Sequence, residues 1–500
     1  MENFHFDIPT LLSLCCSKLG ALLKRKQISP QCLIDYFTAI DRNDIFEKIL
    51  LCSIVQYNAS VFITGSGGVG KSTLLKKIID ELQNQIHYQS KPKSTTIEIA
   101  VVAPTGIAAF NIGGQTIHSH FKIKPTIDDD KIHLKNARKY AEHIWNDVSH
   151  IVMDEVSMLN PKLLKTLDYV ARRIRQEDAI MGGIRCIFSG DFCQLPPIFQ
   201  NNNNIITTEK ENTYVPRYAF ESPLWNSLFD YTVELKTIKR QTDQDFIRFL
   251  QHVRNGNLDA MDWQILNSRT KGIDQIPAHV DPVCLFSIKK ACEDRNVFKL
   301  SGALHSLSKG GTDNKVRTFQ GRWYKVHKNA THCQSRSSID TFPTEPPVPF
   351  IVKLCVCAKV LLVANLNLEK KLYNGSRGVV VDFEEDNGKY TPLVQFENVN
   401  EVCLIREHNW EIPQTDKHIR SIIYSQIPLV LGYALTIHKS QSLTLDSAYI
   451  DCSRIFEAGQ LYTALSRVRT LGGLYLNHFD LKYIKTDERV IEYYKKLERE

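Results

Sequence analysis

The stretch Val61-Phe-Ile-Thr-Gly65-Ser-Gly-Gly-Val-Gly70-Lys71-Ser72-Thr73 decides the fold of this chain. Its first four residues predict a short buried strand, and the apolar spacing after Thr73 predicts a helix up to Leu82. Between them, Gly65 to Ser72 match the pattern GxxxxGK[ST] in full. Glycines let backbone N–H groups turn toward phosphate oxygens, and a helix N-terminus adds its dipole. A chance glycine-rich turn is the alternative, but the flanking strand and helix favour a nucleoside triphosphate site, with Lys71 on the β- and γ-phosphates and Ser72 on Mg²⁺.

Short apolar segments alternate with helical patterns beyond this loop. Such alternation predicts a parallel α/β sheet with helices on both faces. The further strands that we predict for this part are Ile97 to Val102, a strand ending in Ile151-Val152-Met153, and Arg185 to Phe188.

Two acidic residues, Asp154 and Glu155, come directly after the strand that ends at Met153. Carboxylates just past a parallel strand lie in the crevice where α/β sheets bind ligands. Asp154 would then complete a Mg²⁺ shell, and Glu155 could accept the proton of an attacking water. An acid at this place is equally typical of a helix cap, so the metal role depends on the upstream phosphate loop.

A polar turn, Gly190 to Pro197, comes after the strand Arg185 to Phe188. It holds Gln194 next to two prolines, which suits a side chain that senses the γ-phosphate or orients water. On its own this pattern would be only a turn.

The amino-acid composition limits the class of protein to which this chain can belong. The chain has 500 residues, of which 43% are hydrophobic and 23% charged, as in soluble globular proteins of several domains. No apolar run of about 18 residues occurs, so we expect no membrane span. The 13 cysteines include no CxxC pair, so we expect reduced thiols and no structural zinc.

The blocks above resemble the PIF-type helicases of superfamily 1, relatives of the RecD and Dda helicases, over most of residues 61–478. The resemblance is carried, in order, by Gly65 to Thr73 (motif I), Ala103 to Ser119 (Ia), Asp154 to Leu159 (II), Gly190 to Pro197 (III), Leu235 to Gln241 with Asp245, Phe246 and Arg254 (IV), Asn374 to Gly378 (opening of a small β-barrel), Gly432 to Gln441 (V) and Gly459 to Arg469 (VI).

The resemblance implies an α/β fold with two RecA-like P-loop domains, a small β-barrel inserted in the second, and a helical N-terminal lead-in. A viral member of the family would fit the compact chain. The boundaries that we expect are 1–56 for the lead-in, 57–234 for the first domain with a short insertion at about 119–147, 235–298, 351–370 and 426–485 for the second domain, 299–350 and 371–425 for a basic segment and the barrel, and 486–500 for a C-terminal helix.

The resemblance further implies an ATP-driven motor that moves 5′→3′ on single-stranded DNA and unwinds duplexes, in DNA replication, repair or recombination. ATP and Mg²⁺ would be its cofactors, bound in the cleft between the two domains. Arg240 and Arg467 would reach the γ-phosphate from the second domain, beside Glu155 and Gln194, because guanidinium donors stabilise the charge of a transferring phosphoryl group. Asp154 and Ser72 would hold the metal, and the nucleotide would be bound by Gly65, Ser66, Gly67, Gly68, Val69, Gly70, Lys71, Ser72 and Thr73.

Two sets of residues are candidates for DNA contact. The first is implied by motifs Ia and V, although either histidine could be structural: Thr105, Gly106, His118, Thr436, His438, Lys439, Ser440 and Gln441. The second is the basic segment 299–336, whose eight Lys and Arg against one acid give +7, equal to the net charge of the whole chain (62 − 55). Aromatic residues Phe319, Trp323 and Tyr324 interleave these charges, as in single-strand binding surfaces. The alternative is a solvated loop with buried aromatics.

Two positions depart from the family. Relatives read adenine with a Gln upstream of the phosphate loop, whereas Glu47 and Lys48 occupy the corresponding stretch and Gln56 lies too close to the loop. Selectivity for ATP over other nucleotides is therefore open. Ser442 stands where motif V usually has Gly.

Two other functions compete with a helicase. A DNA-stimulated NTPase or translocase could remodel protein–DNA complexes without strand separation. A nucleotide-dependent binding module without turnover would have lost Glu155 or Arg467. We expect single-stranded and forked DNA as partners, a monomer in the free state, and an intracellular protein, nuclear if cellular and cytoplasmic if viral. The N-terminus has neither a signal pattern nor the composition of a mitochondrial transit peptide.

Overall fold

A computed structural model describes residues 8–498, apart from 27, 29, 40–42, 90–97, 124–128, 198–215, 278–279, 309–315, 328–335, 339–345, 347, 365, 368–369, 371, 373–375, 387, 398, 414–418 and 442. Contacts divide the chain into two compact units, Met1–Arg240 with Thr486–Glu500, and Gln241–Lys485. The boundary lies after Arg240, so the stretch 235–240 and the C-terminal segment belong to the first unit. Among the described residues, no helix is both long and apolar enough to span a bilayer.

The first unit is built on a six-stranded sheet in which every pair is parallel, in the order β3-β2-β4-β5-β1-β6. The predicted strands are confirmed with small shifts at their ends. The strands are β1 (Val61–Gly65), β2 (Glu98–Ala103), β3 (Gln115–Thr116), β4 (Val148–Met153), β5 (Arg185–Ser189) and β6 (Tyr231–Leu235). The central strands β1 and β4 are buried almost throughout, as expected for a sheet covered on both faces.

Helices surround this sheet. They are α1 (Ile8–Lys24), α2 (Pro30–Ala39), α3 (Asn43–Val55), α4 (Lys71–Gln89), α5 (Gly106–Asn111), α6 (Ile117–Phe121), α7 (Asp130–Tyr140), α8 (Glu142–Asp147), α9 (Pro161–Arg175) and α10 (Trp225–Leu228). Buried Ile49, Leu50 and Ile54 of α3 join one core with Val61 and Ile63 of β1. The helical lead-in is therefore part of the first unit's core.

The second unit contains a four-stranded parallel sheet in the order β19-β7-β20-β21. The strands are β7 (Val283–Phe286), β19 (Ala434–Thr436), β20 (Ala448–Asp451) and β21 (Leu474–Asn477), and the helices are α11 (Gln244–Asn255), α12 (Ala260–Arg269), α13 (Lys289–Ser308) and α14 (Gln460–Leu465).

Three antiparallel sheets lie between β7 and β19 in the sequence. Their strands are β8 (Arg317–Gln320), β9 (Arg322–His327), β10 (Arg336–Ser338), β11 (Ile351–Leu354), β12 (Lys359–Leu362), β13 (Arg377–Asp386), β14 (Lys389–Phe396), β15 (Val402–Leu404), β16 (His408–Pro413), β17 (Ile419–Gln426) and β18 (Leu429–Leu431). Strands are frequent in residues 351–396, and closure of the expected small β-barrel stays a prediction. Asn374 and Gly375 of the barrel-opening motif lie outside the described residues.

Two segments differ from their sequence-based description. Residues 299–350 lack the uniformly irregular structure that their composition suggests, because α13 continues to Ser308 and strands come after it. The polar excursion at 119–147 folds into α7 and α8. Asp129 caps α7 by accepting from the N–H groups of Lys131 and Ile132. The C-terminal helix is α15 (Glu488–Leu497).

Candidate nucleotide site

Three loops of the first unit meet at one edge of its sheet. They come after β4, β5 and β1, which are direct neighbours in register, with Met153 beside Phe188 and Phe62 beside Phe188. Since all three strands are parallel, their carboxyl ends share one edge, where open α/β sheets bind ligands. The phosphate loop, the acidic pair and the Gln194 turn are thus brought together as predicted from their positions after strands.

The phosphate loop requires glycine at its first position. Gly65 has φ +135°, and a Cβ there would lie 2.3 Å from the carbonyl oxygen of Leu235 on the neighbouring β6. The Nζ of Lys71 donates to the carbonyls of Gly65 at 2.7 Å and Ser66 at 3.0 Å. Helix α4 begins at Lys71, so the positive end of its dipole lies at the loop.

A hydrogen bond joins the loop to the acidic pair. The Oγ of Ser72 donates to Oδ2 of Asp154 at 2.7 Å, and Asp154 is only 2% exposed. A hydroxyl and a carboxylate oxygen in contact are the hard donors that Mg²⁺ prefers together with phosphate oxygens and water. These two side chains therefore fit the implied metal.

Glu155 occupies an uncommon backbone conformation. Its φ of 54° and ψ of 43° are left-handed, its N–H donates to Oδ1 of Asp154 at 2.9 Å, and its side chain is 7% exposed. A non-glycine residue in this region costs free energy that the surroundings must supply, and such residues cluster at functional sites.

The Gln194 turn packs against the acidic pair's loop. Gly190 leaves no room for a side chain, because a Cβ would lie 2.8 Å from the backbone nitrogen of Val156. Within the turn, the N–H of Gln194 donates to the carbonyl of buried Asp191 at 2.9 Å, and Gln194 itself is 4% exposed. The fold thus holds this amide side chain in a fixed, largely buried position.

The segment directly after β6, within the motif IV block Leu235 to Gln241, also contacts the phosphate loop. The N–H groups of Lys239 and Arg240 donate to the carbonyl of Gly68 at 2.9 and 3.2 Å. The Lys239 ammonium lies 3.5 Å from Glu47, a residue of the stretch where relatives carry their adenine-reading Gln. Glu47 also pairs with Lys77 at 2.5 Å. Within this block, the sequence predicted a role for Arg240 and none for Lys239, because nothing in the local pattern distinguishes that lysine from a surface residue.

Arg467 lies in the second unit, just after α14, and is 2% exposed. Its Nε donates to the carbonyl of Thr463 at 2.9 Å, and a terminal nitrogen donates to Oγ of Ser466 at 2.8 Å. The guanidinium is thereby held by its own turn. The expectation that both arginines belong to the second domain is wrong for Arg240, which is the last residue of this stretch of the first unit. The γ-phosphate roles of Arg240 and Arg467 stay predictions.

The motif Ia candidates come after β2 in the first unit. Thr105 Oγ1 accepts from the N–H of Ala108 at 3.3 Å, and Gly106 begins α5. His118 lies on α6, where burial and nearby His133 hold its pKa below the ordinary value. An imidazole with a lowered pKa is neutral at pH 7, so His118 can donate or accept a hydrogen bond there but adds no charge.

The motif V candidates form a turn directly after β19. Thr436 Oγ1 accepts from the N–H of Lys439 at 3.2 Å, and Ser440 Oγ donates to the carbonyl of Ile437 at 2.7 Å. Thr436, Ser440 and Gln441 are buried, whereas His438 and Lys439 are partly exposed. Burial also lowers the pKa of His438, with Glu457 acting in the opposite direction. Ser442 lies outside the described residues.

In the described part of the basic segment 299–336, residues 299–308 form the end of α13, and β8, β9 and the first residue of β10 come after it. Trp323 is 3% exposed and packs on Tyr424 with ring centroids 4.6 Å apart, so it fills a core. Arg322 pairs with Glu407 at 2.6 Å, and the Arg317 guanidinium lies 3.9 Å from the centre of the Tyr390 ring. Trp323 is therefore a buried core residue and is not available to stack on a DNA base, whereas Tyr324 and Lys325 are partly exposed. Lys309, Lys315 and Lys328 lie outside the described residues.

The fold and this site define a P-loop NTPase built from RecA-like parallel sheets. Residues 38–264 match the family model described as PIF1-like helicase, and the chain belongs to that family. It is 33% identical over 462 residues to the ATP-dependent DNA helicase PIF1 of Xenopus laevis, covering 91% of this chain and 64% of that protein. The chain thus spans under two thirds of the length of this relative.

Solved structures agree with the assignment. The chain is similar to Bacteroides sp Pif1 in complex with ADP-AlF4, with a TM-score of 0.70 and 26% identity over 91% of this chain and 96% of that one. It is also similar to Bacteroides Pif1 bound to ssDNA, with a TM-score of 0.57 and 27% identity over 89% and 96%.

Proposed function

We propose that this protein is an ATP-dependent DNA helicase that moves 5′→3′ on single-stranded DNA and unwinds duplexes during replication, repair or recombination. The observation that carries the proposal is the hydrogen bond between Ser72 Oγ and Asp154 Oδ2. It joins the loop after β1 to the loop after β4, across the intervening strand β5, as a site for a metal–nucleotide complex requires. The family and the relatives named above supply the DNA substrate.

The residues of the first unit divide the work of hydrolysis. Lys71 and the loop N–H groups bind the phosphates, and Ser72 with Asp154 would hold Mg²⁺, which when bound neutralises charge on the phosphate oxygens. Glu155 takes the proton of the attacking water, and Gln194 orients that water or contacts the γ-phosphate. Arg240 and Arg467 are proposed to stabilise charge on the transferring phosphoryl group.

The DNA contacts are proposed for the loops after β2 and β19. Thr105, Gly106 and His118 supply one set. In the other, Lys439 and His438 reach the backbone of the strand, while Thr436, Ser440 and Gln441 shape the turn that presents them. Hydroxyl, amide and ammonium groups on loops suit contacts to phosphate and sugar that do not depend on sequence.

A strand-separation assay tests the proposal. The protein is mixed with ATP, Mg²⁺ and forked duplexes that carry only a 5′ or only a 3′ single-stranded tail, and the displaced strand is measured. We expect unwinding of the 5′-tailed substrate and none by Lys71→Ala. Unwinding of the 3′-tailed substrate alone would contradict the polarity. DNA-stimulated hydrolysis without displaced strand would favour the translocase.

Turnover of ATP, GTP and CTP measures base selectivity in the same preparation. With Glu47 and Lys48 in place of an adenine-reading Gln, we expect all three to be hydrolysed at similar rates. A strong preference for ATP would show that another residue reads adenine.

A further inference from the structure

The hydroxyl of Tyr494, on α15, lies beside the nucleotide site although some 430 residues separate it from the phosphate loop. It is 2.8 Å from Oγ1 of Thr64, the residue directly before Gly65. It accepts from the N–H of Phe192 at 3.1 Å and donates to Oδ1 of Asp191 at 3.2 Å. One phenol therefore joins the strand that enters the phosphate loop to the turn that carries Gln194.

These three bonds use the full capacity of a hydroxyl, which has one donor and two acceptor positions. The carboxylate of Asp191 accepts the phenolic proton, and the Phe192 N–H occupies one acceptor position. The Thr64 hydroxyl then donates to the other. Tyr494 is 7% exposed, and Thr64 and Asp191 are fully buried, so water cannot replace the phenol without a change in packing.

Asp191 links the Tyr494 hydroxyl to the backbone of the turn that contains Gln194. Its Oδ1 also accepts from the N–H of Cys193 at 3.1 Å, and its carbonyl accepts from the N–H of Gln194 at 2.9 Å. The Tyr494 hydroxyl and the N–H groups of Cys193 and Gln194 thus converge on buried Asp191. Its orientation fixes where Gln194 stands relative to the loop that begins at Gly65.

Helix α15 is attached to the first unit by contacts that do not involve the Tyr494 hydroxyl. The Tyr493 ring stacks on Phe220 with centroids 4.3 Å apart, and its hydroxyl accepts from Nε1 of Trp225 at 3.0 Å. At the start of the helix, Arg489 pairs with Glu221 at 3.4 Å, and the cap residue Asp487 accepts from the Tyr218 hydroxyl at 3.1 Å. Removal of one oxygen from Tyr494 therefore leaves the helix in place.

We propose that Tyr494 is a positioning residue for ATP hydrolysis, whose hydroxyl sets the Asp191–Gln194 turn against the phosphate loop. This inference rests on the proposed function, because it assigns Gln194 to the γ-phosphate or the attacking water. It adds that helix α15 contributes a residue to the proposed ATPase site. Binding of the nucleotide itself, through Lys71 and the loop N–H groups, does not need the phenol.

The test is Tyr494→Phe in the full chain, with ssDNA-stimulated ATP hydrolysis measured over a range of ATP concentrations. We expect kcat to fall about tenfold, the factor of one hydrogen bond of ordinary strength, with KM for ATP within about twofold of the parent. Because the phenol acts through the turn, Tyr494→Phe should cost little further kcat in a Gln194→Ala background. Full additivity of the two losses would overturn the proposal.

Tyr493→Phe is the matched control, since it removes a hydroxyl of the same helix that bonds Trp225 instead. We expect it to leave kcat within about twofold. An equal loss of kcat in both tyrosine variants would assign the effect to helix docking and reject a specific role for Tyr494.

Amide hydrogen exchange at Phe192 and Cys193 gives a second readout that needs no hydrolysis. Tyr494→Phe should raise exchange at both amides about tenfold while Tyr493→Phe leaves it unchanged. Unchanged exchange in Tyr494→Phe contradicts the positioning role. Failure of the proposed function would be a separate result. It would appear as no ATP hydrolysis by the parent protein, or as equal hydrolysis by the parent and by Lys71→Ala.

Discussion

The parallel sheets of the two units share their construction but differ in the bonding of the loops at their strand ends. In the first unit, side chains from loops after different strands bond to one another, as Ser72 beyond β1 does to Asp154 beyond β4. In the second unit, the side chains after β19 bond within their own turn, as Ser440 does to Ile437. A catalytic site needs side chains that bonds between different loops hold in place. A DNA-binding surface needs a rigid turn whose exposed side chains can contact the strand. We therefore expect the difference to distinguish the proposed hydrolysis site from the proposed DNA contacts of the turn after β19.

Glu155→Gln is the substitution with the largest expected effect, and it tests the chemical side of the comparison. The amide cannot accept the proton of water, so kcat should fall by a factor on the order of 10² to 10⁴. ATP binding should persist, because Lys71, Ser72 and Asp154 are untouched. Single-turnover phosphate release and binding of a fluorescent nucleotide measure the two quantities, and a kcat within threefold of the parent would remove Glu155 from the mechanism.

Acid should weaken the first unit through His150, a buried residue of β4. Burial, with Arg185 nearby, lowers the pKa of His150 to about 4, and its Nδ1 lies 2.8 Å from the Ser149 hydroxyl. The unfolded chain takes up this proton near pH 6.5 and the folded chain only near pH 4. The contribution of His150 is therefore complete above pH 6.5 and declines as pH falls toward 4, by about 1.4 kcal/mol per pH unit.

Urea unfolding of the parent and of His150→Leu at pH 7 and pH 5 measures this difference. The variant should show a smaller loss between the two pH values. His143→Leu, which replaces an exposed histidine of α8, should keep the parent's pH dependence. A His150→Leu protein with the parent's full acid sensitivity would assign that sensitivity to other groups.

Lys439→Ala tests the proposed DNA contacts of the turn after β19. Loss of one phosphate contact should weaken ssDNA binding several-fold and reduce the slope of log K against log salt by about 1. Hydrolysis without DNA should stay within about twofold. Lys482→Ala serves as control, since that exposed lysine pairs with Asp480 at 2.8 Å. Fluorescence anisotropy at several salt concentrations makes the measurement, and equal slopes for Lys439→Ala and the parent would exclude the contact.

The smallest effect is expected in the antiparallel region. Lys325→Glu should weaken ssDNA binding more than Arg322→Glu, because Arg322 already pairs with Glu407 and contributes less free charge. A difference of about two- to threefold is expected in the same anisotropy assay. If neither reversal changes affinity, the excess charge of residues 299–336 serves another purpose than DNA binding.

Local patterns predicted most of the first unit because its site is built from short-range signals. A glycine-rich loop and acids placed after apolar strands carry their meaning within about ten residues. Helix α13 was missed because its apolar residues do not lie along one face, and it contains Gly302. Basic and aromatic composition near Trp323 could not tell which face of β9 is buried. Tyr494 had no local signal at all, since its partners lie hundreds of residues away.

The chain enters the second unit after Arg240 and returns to the first at Thr486, so the first unit is discontinuous in sequence. During translation, residues 61–194, which contain the phosphate loop, the acidic pair and Gln194, are synthesised long before α15. Thr64 and Asp191 therefore cannot form their hydrogen bonds with Tyr494 until the entire second unit has been synthesised. The nucleotide site becomes complete only when both units have been made, so that partial translation products lack a finished ATPase centre.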